Sequence, residues 1–172
     1  MILIAAHMAS AQTTWKGLRF GMSEAEARKQ YPAQLEKKSI ENGEFELVDR
    51  NQKLIDKPAS AKLFFDKSGK LDQISLEMEP FAVDVDASKA AGSSLAVIEI
   101  LNKQLVEKYG QATSKEGKCD VIAEDFLSES QPTFTCDSLW KSAGETVNLI
   151  WVVKKMRISD LGLVYKPLAS DI

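Results

Sequence analysis

Residues Ser94–Gly110, SLAVIEILNKQLVEKYG, form the longest stretch of the chain that reads as one amphipathic helix. Leu95, Ile98, Leu101, Leu105 and Tyr109 recur three or four apart and make one apolar stripe, with Glu99, Lys103 and Glu107 outside it. Ser93 or Ser94 can accept the first free amides, and Gly110 can end the helix in a left-handed conformation. A stripe this wide has to lie on something flat and apolar. The sequence on both sides offers alternating strands to receive it.

Upstream, Leu18 and Phe20 predict a short strand, Gly21 a turn, and Ser23 with Glu26 the capping box of a helix. That helix spans 23–31, because Tyr31 precedes Pro32 and is biased out of the helical region. Glu44–Val48 alternates as a half-buried strand, whereas Asn51–Lys57 is turn-like apart from Leu54 and Ile55. The clearest hairpin is Ala61–Glu79. Leu63 and Phe65 alternate on one arm, Ile74, Leu76 and Met78 on the other, and Asp66-Lys67-Ser68-Gly69 supplies the turn. Glu79–Gly92 is a connection from which Phe81 and Val83 pack.

Downstream, Cys119–Phe126 and Thr133–Cys136 read as strands, followed by Thr146–Val153 and Asp160–Tyr165. In Thr146–Val153, Val147, Leu149, Trp151 and Val153 line one face while Ile150 and Val152 line the other, which predicts burial on both faces. The halves 15–79 and 93–166 are alike in outline, each a helix ending in Tyr-Pro or Tyr-Gly and then a run of antiparallel strands. The expected fold is α+β: an antiparallel sheet with helices packed on one face, built as two helix-plus-strands units in tandem, in a single domain over 12–172.

Residues 1–11, MILIAAHMASA, stand apart. Met1–Ala6 with Ala9-Ser10-Ala11 fits the tail of an export signal, and His7-Met8-Ala9-Ser10 equally fits a cloning scar. The only histidine, His7, falls inside this segment. The two cysteines, Cys119 and Cys136, flank a polar loop at 127–132. A hairpin centred near 127–128 would set them opposite each other, within the roughly 4.5–5.5 Å that a disulfide bridges; the alternative is two separate buried thiols. A bridge favours an oxidising compartment, periplasmic or secreted.

The bulk numbers exclude several function classes. A net charge of −3 provides no basic field for nucleic acid or anionic lipid, and no apolar run is long enough for a membrane span. With His7 set aside there is no imidazole for a Ser–His or Cys–His pair, and no metalloprotease, nucleophile-elbow, redox or phosphate-loop motif occurs. The chain is therefore expected to be no enzyme and to need no metal or other cofactor. Glu41/Glu44/Glu46 and Glu124/Asp125 read as solvated faces, and Asp84-Val85-Asp86 lacks the glycine and closing glutamate of a calcium loop. Trp15 and Phe20 read as core. Trp140, between Leu139 and Lys141 in the polar setting Asp137–Ser142, is the candidate partner-binding residue, with Leu139 and Lys141 beside it. The competing reading makes the ring a plug at the sheet edge.

The Gly17-Leu18-Arg19-Phe20-Gly21-Met22-Ser23 opening, the Phe65…Gly69…Leu71…Ile74 hairpin and the Leu105…Lys108-Tyr109-Gly110 helix end resemble small exported bacterial proteins of the β-lactamase-inhibitor-protein-like and SmpA/OmlA-like groups. The resemblance implies one or two helix-plus-strands units and, by analogy of fold, protein binding. No lipidation cysteine stands near the start, so a lipid anchor is not implied. The expected function is a non-catalytic, exported envelope protein that binds another protein, as an inhibitor or an immunity protein. The alternatives are a structural or assembly factor of the envelope and an enzyme using carboxylates alone.

Overall fold

The computed structural model describes residues 15–82, 94–119, 133–142, 144–154 and 157–168. The expectations for 1–11, the Ser93 cap, Val83, the 84–86 and 124–125 carboxylates, and the 120–132 strand and loop lie outside these residues. The described chain runs α1 (Glu24–Gln30), β1 (Glu36–Ser39), β2 (Phe45–Leu54), β3 (Lys57–Phe65), β4 (Leu71–Met78), β5 (Phe81–Ala82), α2 (Ser94–Tyr109), β6 (Ser114–Gly117), β7 (Thr133–Ser142), β8 (Glu145–Lys154) and β9 (Arg157–Pro167). Its strands pair antiparallel in the order β1-β2-β3-β4-β9-β8-β7-β6, with β5 added to β9. The fold is α+β, as expected.

Successive side chains of a strand point to opposite faces, so residues opposite each other across the sheet share a face. Register sets Leu47, Leu63, Ile74, Tyr165, Val147 and Trp140 in one row. Every member of that row is buried. Ala61, Leu76, Leu163, Leu149 and Ser138 make the next buried row. This inner face forms one core with Ala27 and Tyr31 of the α1 end and with Val97, Ile98, Leu101 and Leu105 of α2.

The capping box starts α1: the Ser23 amide donates to Glu26 Oε2 at 2.8 Å, and the Glu26 amide to Ser23 Oγ at 3.4 Å. The short strand expected at Leu18 and Phe20 is absent. Those residues lie in turns, with Leu18 buried and Trp15 and Phe20 packed half-buried on the core. β2 runs through the polar Asn51-Gln52-Lys53 that reads as a turn, and the reversal falls on Ile55-Asp56, at φ 49° and 61°. Two positive φ values are what a two-residue turn between twisted strands requires, an uncommon conformation for isoleucine. Asp66–Gly69 turns as expected, with Asp66 Oδ1 accepting from the Ser68 and Lys70 amides at 2.8 and 2.9 Å and Gly69 at φ 73°.

Both helices end in a tyrosine whose hydroxyl donates to a buried carboxylate. Tyr31 reaches Asp49 Oδ2 at 2.6 Å, and Tyr109 reaches Glu145 Oε1 at 2.9 Å. Asp49 also accepts from the Asn51 amide and from Gln52 Nε2, each at 2.8 Å. Burial alone would raise the Asp49 carboxyl, but these hydrogen bonds and the nearby Lys16 charge hold it below the ordinary value of 3.8. Burial, then the Glu145 charge, pushes the Tyr165 hydroxyl up to about 12.

The two faces of α2 should respond differently to mutation. Leu101 and Leu105 are 2% and 5% exposed, and alanine at either should cost about 2–5 kcal/mol in chemical denaturation. Alanine at the exposed Glu99, Lys103 or Glu107 should stay within about 0.5 kcal/mol; comparable losses on both faces would mean the helix is not laid on the sheet as described. For Asp49 the sign is fixed by its depressed value. Its contribution is present above pH 3.8 and disappears as pH falls through the folded-state value. Asp49→Asn should therefore flatten the acid limb of the stability curve, measured by urea midpoints at descending pH.

Candidate partner-binding face

No helix among the described residues is shared with the outer face of the sheet, because the apolar stripe of α2 and the buried Ala27 of α1 belong to the inner-face core. The outer rows follow from the same registers. One is Glu77, Gly162, Ile150, Asp137 and Glu116, crossing β4, β9, β8, β7 and β6. Its neighbour is Ser75, Val164, Asn148, Leu139 and Ser114. Toward β1 this face is closed by charge pairs, Lys62 Nζ to Glu77 at 2.5 Å and Arg50 Nε to Glu36 at 3.4 Å, and Val48 and Ser75 are buried there. Toward β6 it is open: Ile150 is 37% exposed, and Val152, Val164 and Leu139 are half-buried.

Burial of β8 on both faces, expected from its apolar run, is thus corrected. Val147, Leu149, Trp151 and Val153 are buried, while Ile150 and Val152 face outward without cover among the described residues. Two shallow depressions meet at Ile150. The one of about 350 Å³ lies over Gly162, between Ile150, Val164, Glu77 and Asp160. The other, of about 290 Å³, lies between Ile150, Val152, Asp137 and Glu116. Asn148 Nδ2 donates to Asp137 Oδ1 at 2.8 Å and holds that carboxylate in place.

The sequence-predicted residues separate. Cys119 and Cys136 are disulfide-bonded, with Cα atoms 4.8 Å apart. The bridge joins β7 to the residues just after β6, since Gly117 is the register partner of Cys136. Such a bond is compatible with an oxidising extracellular compartment. Trp140 is not a loop residue. It continues β7, alternates inward with Phe134, Cys136 and Ser138, and is completely buried. Its indole N–H donates to Gly110 O at 3.0 Å, fastening the α2 terminus to the sheet. The ring is a core plug, and a fully buried side chain cannot meet a partner. Leu139 and Lys141 lie on the opposite, outer side of the same strand, half-buried and exposed. The Ile150/Val152 alternation against buried neighbours marks Ile150 as an outer-face residue in the sequence, whereas nothing local places Gly162 beside it.

Among the described residues no three His, Cys, Asp or Glu side chains come together as a metal-binding group, and no helix is long and apolar enough to cross a membrane. Neither a family model, nor a curated protein, nor a solved structure matches this chain. The resemblance to exported inhibitor-like and assembly-lipoprotein-like proteins accordingly rests on its short motifs alone.

Trp140→Ala should cost about 3–5 kcal/mol through lost packing, beyond the orphaned Gly110 carbonyl, and lower the thermal midpoint by roughly 10 °C. Calorimetry checks this. An unchanged midpoint would return the ring to the surface.

Proposed function

We propose that this protein is a non-catalytic, exported bacterial envelope protein that binds another protein through the outer face of its sheet, as an inhibitor or an immunity protein. The observation that carries the reading is the uncovered apolar centre of that face. Ile150 sits at 37% exposure in a strand with sheet neighbours on both sides, where isolated stability would favour a polar residue. The disulfide supports the exported part of the reading, because such bonds persist in oxidising compartments.

The same reading treats the chain as two helix-plus-strands units in tandem. In its support, α1-β1-β2-β3-β4 and α2-β6-β7-β8-β9 meet head to head at β4 and β9, and each helix ends in a tyrosine bound to a buried carboxylate. Pairing the two units leaves a broad sheet with one face for the core and one for a partner.

A photo-crosslinking residue at Val164 or Leu139, introduced in the native cells, should capture one protein in a discrete adduct. The same residue at Glu99 or Lys103 on the exposed side of α2 should capture none. Adducts arising equally from both surfaces would reject the outer face as the interface, and a ladder of many different adducts would favour an envelope assembly factor.

A further inference from the structure

We propose that the partner presents a cationic segment whose aliphatic side chain fills the gap over Gly162 while its lysines or arginines meet the carboxylates around it; this rests on the outer face being the interface. The gap is a property of the backbone. A Cβ built on Gly162 would stand 3.0 Å from the Leu76 carbonyl oxygen, so β9 passes β4 tightly there and a side chain would push that carbonyl back by a few tenths of an ångström. The row therefore runs from Glu77 to Ile150 with nothing between them. The depression of about 350 Å³ exceeds the volume of a single water many times over, at about 30 Å³ each, and Ile150 and Val164 give it apolar walls. An aliphatic side chain fits such a gap better than a solvated polar one.

Charge selects the rest of the partner. Glu77 and Asp160 border this depression, Asp137 and Glu116 border the adjoining one, and among the described residues no lysine, arginine or histidine lines either. Of the four, Glu77 is already engaged by Lys62. Asp137, Asp160 and Glu116 thus face outward across the apolar centre, and the chain as a whole carries −3. A partner with acidic side chains would be repelled here, and a neutral apolar one would leave the carboxylates without counter-charges.

The test uses the intact, disulfide-bonded protein with methyl-labelled isoleucine and valine, titrated with three short synthetic peptides: alternating Lys-Leu, Lys-Ser and Glu-Leu. The Lys-Leu peptide should shift the Ile150, Val152 and Val164 methyl signals and bind less tightly as salt rises. Lys-Ser and Glu-Leu should each bind at least about tenfold more weakly. Asp137→Asn with Asp160→Asn should weaken Lys-Leu binding about fivefold at an unchanged thermal midpoint, since exposed pairs each contribute modestly. Equal binding of Lys-Ser or of Glu-Leu, or shifts confined to other methyls, would overturn the proposal. So would self-association abolished by Ile150→Arg, which makes the occupant a second copy. Crosslinks from Val164 with no peptide discrimination would remove the partner chemistry and leave the interface; absent crosslinks would remove the interface itself.

Discussion

The sheet is one layer because β4 pairs with β9. Only four residue pairs make this seam, Ile74–Tyr165, Ser75–Val164, Leu76–Leu163 and Glu77–Gly162. Without them β1–β4 and β6–β9 would be separate sheets. The seam carries buried inner-face pairs on one side, Ile74 against Tyr165 and Leu76 against Leu163, and the Gly162 gap on the other. The contact that unites the core is therefore also the one that shapes the outer surface.

The helix ends are held in a chemically similar way although their partners sit on different strands. Asp49 is on β2 and Glu145 begins β8, yet each accepts a hydrogen bond from the tyrosine that closes its helix. A buried carboxylate is costly unless charge-assisted hydrogen bonds compensate it. Asp49 collects three donors, and its low pKa follows from that count. On the α2 side the indole of Trp140 adds a second tie, to Gly110. The two helices are thereby fixed at their C-terminal ends as well as through their apolar faces.

Much of this architecture was legible in the residues. The apolar stripe of α2, the Ser23–Glu26 capping box, the 61–79 hairpin and the cysteine pair each have a strong local signal, and each is present in the fold. What was hidden has a common cause. β1 (EKKS) and β6 (SKEG) are edge strands whose side chains bury almost nothing, so they carry no apolar alternation and exist through pairing with β2 and β7. Polar neighbours disguised Trp140 because the run Asp137–Ser142 is a half-open strand, with Asp137, Leu139 and Lys141 turned outward between inward residues. The apolar run of β8 promised burial on both faces, but α1 and α2 both cover the same side. Of the candidate site, the sequence carried the strand that holds Ile150 but not the row, because a row across five strands is set by long-range register.

The seam has a further consequence for how the chain reaches its fold. β4 ends at Met78, whereas its outer neighbour begins at Arg157, so its edge has no partner until about eighty more residues have been made. During synthesis β4 presents an unpaired row of amides and carbonyls, with Ile74 and Leu76 among its side chains, to any strand that reaches it. Local hairpins β2–β3, β3–β4 and β7–β8 can close early, but the joined layer waits for β9. The long sequence separation raises the entropic cost of closing this junction above that of the local hairpins, and until it closes the β4 edge is open to pairing with a neighbouring chain.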